Sequence, residues 1–526
     1  MTLWDAGEFI TAAKVLGIPH PPGTPLFVLL GNVWGRLVPI GEYAWRLNLM
    51  SACFSAAGAG CLFLVTHRLL IGEAGWLRLG GAAAAALLSA FTFTNWQNSN
   101  ETEVYTVATF SIAAICWLCL RWRDVRGTAA APHLLLLVVY IAALSIGNHL
   151  LALLVGPAVS LFVWHTLRTQ PAADRDERSM EWAEWCVLTA VWLLLVAVGL
   201  GSTTLLIVGA AAVLAALAYC VMSGSVAFPV LAIGIAAIGV STYAFLYIRS
   251  GQQPLLDEAN PETWANLLRV IRREQFGSRG ILDNPMFAPG AGNPGRTITI
   301  FGQQFINYFQ YGAWQWARAL PLPLMIAAAL LFVSLGVLGF NSANQRDAGV
   351  ARLLLALWLI GGVGLVIYMN FKAGYSLFWD QYKTIDQHEV RERDYFFVVS
   401  FQIWGVFAAI GLVRLLRALA RAGSPPRWAL ALAVAITLLP FGANFAAASR
   451  RGADAYAAHD VAYNLLQSVE PYGVLFGFGD NDTFPVWYLQ EVEGVRQDVT
   501  QINLSLANLD WYIEQLAYRP VRPFDP

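Results

Sequence analysis

Charge is what this chain has least of. Of its 526 residues only 13% are Asp, Glu, Lys or Arg, against about 25% in an ordinary soluble domain, while 57% are hydrophobic. With a mean hydropathy of +0.54, that scarcity excludes a water-soluble globular enzyme and marks an integral membrane protein. The charges cancel to a formal −1, which excludes a basic nucleic-acid binder. Cysteine is scarce too. Cys53, Cys61, Cys116, Cys119, Cys186 and Cys220 all fall in apolar stretches, as small buried hydrophobes do, rather than as a disulfide framework or a ligand set. Cys116 and Cys119 have the CxxC spacing but sit mid-span, which argues against a redox role. Phosphate-loop, HExxH and zinc-type Cys/His spacings are absent, so nothing points to a soluble nucleotide substrate, a resident metal or a nucleophilic serine. No signal peptide is visible in this sequence.

Long apolar runs fill the space that charge leaves. Candidate spans cover 45–66, 79–94, 103–121, 133–147, 149–167, 185–200, 203–222, 226–248, 321–341, 351–371, 396–415 and 428–448, about 12 transmembrane helices, some short of the ~20 residues that cross a bilayer. Twenty Trp and 18 Tyr suit interfacial belts. Arginines alternate from loop to loop: Arg68 and Arg78; Arg121, Arg123 and Arg126; Arg168, Arg175 and Arg178; then Arg346, Arg352, Arg414, Arg417, Arg421 and Arg427. These connections are expected on the cytoplasmic side and the others outside. Residues 1–44 then lie outside, and a first apolar helix is expected ahead of Met1. The fold expected is an all-α polytopic membrane protein of the inner (plasma) membrane.

The extracytoplasmic parts carry the polar residues. Residues 1–44 form a loop with a juxtamembrane helix at 24–38, and 45–248 carry the first set of spans. Residues 249–320 form an external loop rich in Gly, Pro and Asn. Residues 321–448 hold the remaining spans with an external loop at 372–395, and 449–526 make a small α/β segment, expected to be truncated. In that segment a helix near 453–469, strands at 474–478 and 499–504, a Gly479–Asp482 turn and a helix from about Phe484 are expected. Asp480 and Asp482 are read as structural, because no further calcium ligands follow them.

Asp5 and Glu8, three apart, share one helix face where hydrocarbon meets water, and ionisable groups are costly there unless they work. The same spacing fits an N-cap with a capping box. Beyond them come His20-Pro21-Pro22-Gly23, then Glu101 and Glu103, and His149 at a helix end. Arg272 and Arg273 form a polar run open to either a solvated helix face or an anion. Arg391 and Arg393 lie in the 372–395 loop, where long cations either snorkel or grip a lipid phosphate. Acids and cations gathered at one membrane face fit sugar transfer from a lipid-phosphate donor: a carboxylate deprotonates the acceptor hydroxyl and cations stabilise the departing phosphate. They also fit a transporter or flippase of a lipid-linked saccharide, although transporter sites lie at mid-span. A non-catalytic envelope scaffold is the third reading.

Trp4-Asp5-Ala6-Gly7-Glu8-Phe9 and Leu16-Gly17-Ile18-Pro19-His20-Pro21-Pro22-Gly23-Thr24-Pro25 resemble the opening signature of a polytopic membrane family, known in bacteria, that includes the O-mannosyltransferase of plexin-type receptor domains. Glu101–Tyr105, Gly147–His149, Arg273–Gly277, Arg391–Phe397 and Gly479–Pro485 resemble further blocks of it. The family is similar to the GT-C glycosyltransferases. The resemblance implies a GT-C-like fold, a polyprenyl-phosphate-sugar as donor, inversion at the anomeric carbon, and mannose moved to protein Ser/Thr or a glycan. It implies Asp5 as general base with Glu8 beside it, and Arg391 and Arg393 as donor-phosphate ligands. Such a donor is already activated, so no cofactor is required.

Overall fold

The computed structural model describes residues 1–526 except 171, 173, 278, 279, 421–424 and 526; Arg421, one of the arginines expected inside, lies outside the described residues. Among these, ten helices are long and apolar enough to cross a membrane, or eleven if one bent pair counts as a single span. A shorter apolar helix, Ala130–Ile146, makes up the twelfth. The helices therefore correspond to the predicted spans one for one. The 79–94 span is the one that departs from a straight rod. It breaks into Gly75–Ala90 and Phe93–Ser99, bent by 71°. The short piece carries Thr94, Asn95 and Asn98, all buried. Such polar groups need partners inside a membrane. Asn95 finds Gln402 at 2.7 Å and Ser55 at 3.0 Å, and the Thr94 hydroxyl donates to Asp394.

Two glycines let the central spans meet. A Cβ on Gly339 would lie 1.7 Å from the Phe407 carbonyl oxygen, and one on Gly411 2.1 Å from that of Leu335. Leu322–Arg346 and Val398–Leu419 thus touch backbone to backbone, the close approach that small residues permit between membrane helices.

The arginine-rich loops converge on one end of the bundle and neutralise one another across it. Arg68 pairs with Asp124 at 2.6 Å, Arg123 with Asp347 and Arg126 with Glu181 at 2.5 Å each, while Arg346 and Arg417 share Glu73. The opposite end gathers the first residues, the loops and the C-terminal segment. There α1 (Ala6–Val15) and α2 (Pro25–Leu37) lie ahead of the first span, and α2 covers the stretch 24–38 where a helix was expected.

Two expectations for this end need correction. Residues 249–320 are not loop throughout: Ile298–Ala317 is a helix N-capped by the Thr297 hydroxyl. Its mixture of aromatic and amide side chains hid it from a search for apolar runs, yet Gln303, Gln304, Asn307 and Gln315 are buried on its inner face. The Gly479–Asp482 stretch is not a separate turn either. Gly479 caps, and Asp480 opens, the helix Asp480–Tyr488, because the Asp482 carboxylate accepts the Gly479 N–H at 2.8 Å and the Phe478 N–H at 2.9 Å. The strands β1 (Val474–Gly477) and β2 (Thr500–Asn503) pair in parallel, Val474 opposite Thr500.

Candidate active site

The first 25 residues are fixed from three directions. Gly7 lies flat on the Asp480–Tyr488 helix; a Cβ there would stand 2.7 Å from the Phe484 carbonyl oxygen. The Trp4 N–H donates to Asn481 Oδ1 at 2.7 Å. At its far end α1 stops at Leu16, whose φ is +52°. The freed carbonyls of Val15 and Leu16 are taken by the Arg249 guanidinium at 3.1 and 2.7 Å, which satisfies groups every helix end leaves open. Ile18 then pairs with the 249–320 segment: its N–H donates to the Leu256 carbonyl at 2.7 Å and its carbonyl accepts the Glu258 N–H at 3.0 Å. The turn His20–Gly23 follows, closed by the Gly23 N–H on the His20 carbonyl, with Gly23 at φ +80°. Pro25 begins α2 at a position where its missing N–H is harmless.

Asp5 occupies the N-cap position of α1, but its side chain makes no cap hydrogen bond. Arg391 Nη2 donates to its Oδ2 at 2.8 Å, and the guanidinium stands 4.7 Å from the Trp4 ring and 4.9 Å from that of Tyr395. Burial alone would raise the Asp5 carboxyl; the Arg391 and His20 charges outweigh it and hold the group below its ordinary range. Glu8 does not complete a capping box. Its Oε1 accepts the His20 N–H and its Oε2 meets His20 Nδ1, both at 2.6 Å, with Glu8 fully buried. Burial works against charge on the His20 ring, yet Glu8, with Asp5 and Glu258 beyond, lifts it to about 10. The ring is an imidazolium at neutral pH.

The remaining predicted residues fall into two groups. Glu103 is buried next to Asp5, and burial with the Asp5 and Glu101 charges pushes its carboxyl well above the usual range, so it holds its proton. Arg393 donates to Glu389 at 2.9 Å and to the Tyr395 hydroxyl at 2.6 Å, and its charge reaches Asp5. His149 packs on the Tyr105 ring, which in turn touches Tyr395. Its Nδ1 accepts the Leu151 N–H at 3.1 Å, and burial with the Arg273 charge drops it to about 3, leaving a neutral ring. Glu101 sits further out, tying Arg450 at 2.6 Å and the Thr2 hydroxyl at 2.9 Å. Arg272 and Arg273 are engaged elsewhere. Arg272 donates to the Gly201 carbonyl at 2.9 Å and faces Glu274, and Arg273 reaches the Gly199 carbonyl at 3.4 Å. Both serve the carbonyl end of the span Arg175–Leu200; of the two, Arg273 alone acts on His149.

Two more acids join this cluster, Glu258, which the sequence did not single out, and Asp480, which it gave as structural. Glu258, 2% exposed, leaves Oε1 without a hydrogen-bond partner, and burial beside Glu8 pushes its carboxyl well up. Asp480, at the solvent rim, is raised to about 6 by surrounding protein and by the Asp5 and Glu8 charges. Its signals in the sequence were its place in the Gly479–Pro485 block and its alternation with Asp482. Among the described residues no three His, Cys, Asp or Glu side chains are arranged to hold a metal ion.

The packing of α1 on the Asp480–Tyr488 helix makes Gly7 a sensitive position. In Gly7→Val the two helices must part, carrying Asp5 away from Arg391. A displacement near 1 Å at a reacting group costs on the order of 10²-fold, so any turnover that depends on Asp5 should fall by that factor, measurable in purified membranes. A Gly7→Val chain as active as wild type would contradict the packing.

Two stretches of the chain match known family models. Residues 5–172 match the Protein O-mannosyl-transferase TMEM260 N-terminal domain and residues 458–522 match TMEM260-associated domain 2. The protein O-mannosyl-transferase TMEM260 of Mus musculus is 34% identical over 144 residues, covering 27% of this chain and 20% of the mouse protein. The Dictyostelium discoideum protein of the same name is 28% identical over 128 residues, 23% of this chain and 14% of its own. The matched stretches thus span about a fifth or less of those relatives. In fold, the chain is similar to the Archaeoglobus fulgidus oligosaccharyltransferase, solved in complex with Zn and sulfate, at a TM-score of 0.51 and 12% identity. That likeness covers 95% of this chain and 58% of the archaeal one.

Proposed function

We propose that this chain, which carries both TMEM260 family domains on a GT-C-like membrane fold, transfers a sugar from a polyprenyl-phosphate donor to an acceptor hydroxyl. Mannose as the sugar and protein Ser/Thr as the acceptor follow from the names of its relatives. The observation that carries the reading is the Asp5–Arg391 pair, joined across 386 positions of chain at 2.8 Å, with the Glu8–His20 pair against it. Both lie at the end of the bundle opposite the arginine-rich loops, which by the positive-inside rule is the extracytoplasmic side.

In this reading Asp5 is the general base and Arg391 takes the donor phosphate, with Arg393 adding charge. The two roles are linked. While Arg391 holds Asp5, the carboxylate is a weak base; once a phosphate claims the guanidinium, burial remains and the proton affinity of Asp5 rises. The acceptor hydroxyl loses its proton to Asp5 Oδ2 as its oxygen attacks the anomeric carbon. The bond to the phosphate oxygen breaks, and the polyprenyl phosphate leaves against arginine charge. His20, held as a cation by Glu8, adds positive potential beside the pair.

Reconstituted vesicles test this reading. The full chain, given radiolabelled polyprenyl-phosphate-mannose and a Ser/Thr peptide, should place label on the peptide in a glycosidic bond. Label that crosses the bilayer while no such bond forms would establish a transporter instead.

A further inference from the structure

On the other side of segment 256–258 from Glu8 and His20 lies a cavity that the proposed reaction does not use. It is a cleft of ≈ 220 Å³ between residues 253–262 and the helix Asp510–Tyr518. Trp511, Glu514, Gln515 and Tyr518 line one wall; their spacing puts all four on a single helix face. Asp257 and Glu262 line the other. Gln515 Nε2 donates to the Leu255 carbonyl at 3.0 Å and holds the walls together.

The chemistry of the cleft is one-sided. Asp257 is 7% exposed; its Oδ2 accepts the Ser250 hydroxyl at 2.8 Å, and its Oδ1 has no hydrogen-bond partner. Glu262 and Glu514 are exposed and form no ion pair among the described residues. Arg519, the one cation among the described residues lining the cleft, is already paired with Glu491 at 2.7 Å. The cleft therefore holds uncompensated negative charge, a buried acceptor atom lacking a donor, and two aromatic rings.

We propose that this cleft docks a cationic side chain, Lys or Arg, of a protein acceptor close to the hydroxyl that receives the sugar, a specificity that rests on the glycosyltransferase reading above. Carboxylates give a guanidinium or ammonium charge-assisted hydrogen bonds, and the Trp511 and Tyr518 rings offer it cation–π faces. A neutral saccharide would use the rings and amides but would leave the three acids unanswered. Placement ties the cleft to the chemistry. Segment 256–258 runs between them, and successive residues of an extended strand face opposite ways. Glu258 turns to Glu8 and His20, whereas Asp257 turns to Ser250 and the cleft. A peptide anchored by its basic residue presents its neighbours to Asp5.

The test uses the full chain in detergent and two fluorescein-labelled Ser/Thr hexapeptides identical except that one carries Gln in place of Arg. The Arg peptide should bind about tenfold tighter at low salt, two partly exposed charge contacts being worth roughly that, and the margin should shrink as salt rises. Glu262→Gln combined with Glu514→Gln changes only exposed side chains and should erase the margin. Equal binding of the two peptides by wild type overturns the proposal, as does a margin that survives in the double variant. Binding of methyl mannoside that the double variant loses, without peptide discrimination, overturns it in favour of a sugar site. In Asp5→Asn the margin should persist. Peptide discrimination in a chain that never transfers sugar would sink the glycosyltransferase reading and leave a basic-peptide site standing.

Discussion

Asp5→Asn is expected to lower the turnover of sugar transfer by about 10³-fold, within the 10²–10⁴ that general-base catalysis contributes. Asn keeps the volume and an acceptor oxygen for Arg391, so the chain should still insert and fold, but the amide cannot take the hydroxyl proton. The apparent affinity for donor should stay close to wild type, because the guanidinium remains in place and is no longer tied to a carboxylate. Arg391→Gln should behave in the opposite sense. It removes the phosphate partner and leaves the half-buried Asp5 without its cation, raising the donor KM and weakening the fold together. Steady-state assays with a fixed acceptor separate the two. Near-normal transfer by Asp5→Asn would remove the base assignment, and an unchanged donor KM in Arg391→Gln would remove the phosphate role.

Glu8→Gln is expected to be the most damaging single change to stability. Removing one partner of a buried ion pair costs roughly 3–5 kcal/mol, and Glu8 is fully buried against His20 at 2.6 Å. The pair also fixes a pH dependence. His20 titrates near 6.5 when the chain is unfolded and at about 10 when folded. A raised value means that the stabilisation is complete below about 6.5 and is lost as pH climbs through about 10. Melting temperatures of the detergent-solubilised chain should therefore fall steadily from pH 6.5 to 10. In Glu8→Gln the melting temperature should be lower at pH 6.5 and nearly flat over that window. Parallel slopes in the two proteins would show that the ion pair does not set the dependence.

The helices were legible because hydrocarbon imposes a simple rule: a backbone crossing it must satisfy its own hydrogen bonds, and its side chains must be apolar. The arginine pattern was legible for a related reason, and the pairs from Arg68–Asp124 to Arg346–Glu73 join loops that alternation alone had assigned to one side. The opening acids stood out because charge is so rare there. Helix Ile298–Ala317 escaped because its inner face is Gln and Asn, held by neighbours rather than by lipid. The break before Phe93 escaped because a partner of its polar residues, Gln402 on a distant span, cannot be seen in residues 79–94. Glu258 escaped because a lone acid in a polar loop looks solvated until the fold buries it, and Asp480 read as structural because the carboxylates set against it, Asp5 and Glu8, come from the other end of the chain.

By itself, then, the sequence determined which segments are apolar, which loops share one end of the bundle and the identity of Asp5, Glu8 and His20 as groups out of place. It could not determine their states. Asp5 is ionised because Arg391 arrives from the far half of the chain, His20 is charged because Glu8 is buried against it, and Glu103 is pushed towards its neutral form first by burial and then by the Asp5 charge. Hydropathy and helix periodicity are local sums over neighbouring residues. Proton affinity depends on which charges share a dry pocket, and only tertiary packing brings residues 5, 20, 103, 258, 391 and 480 together.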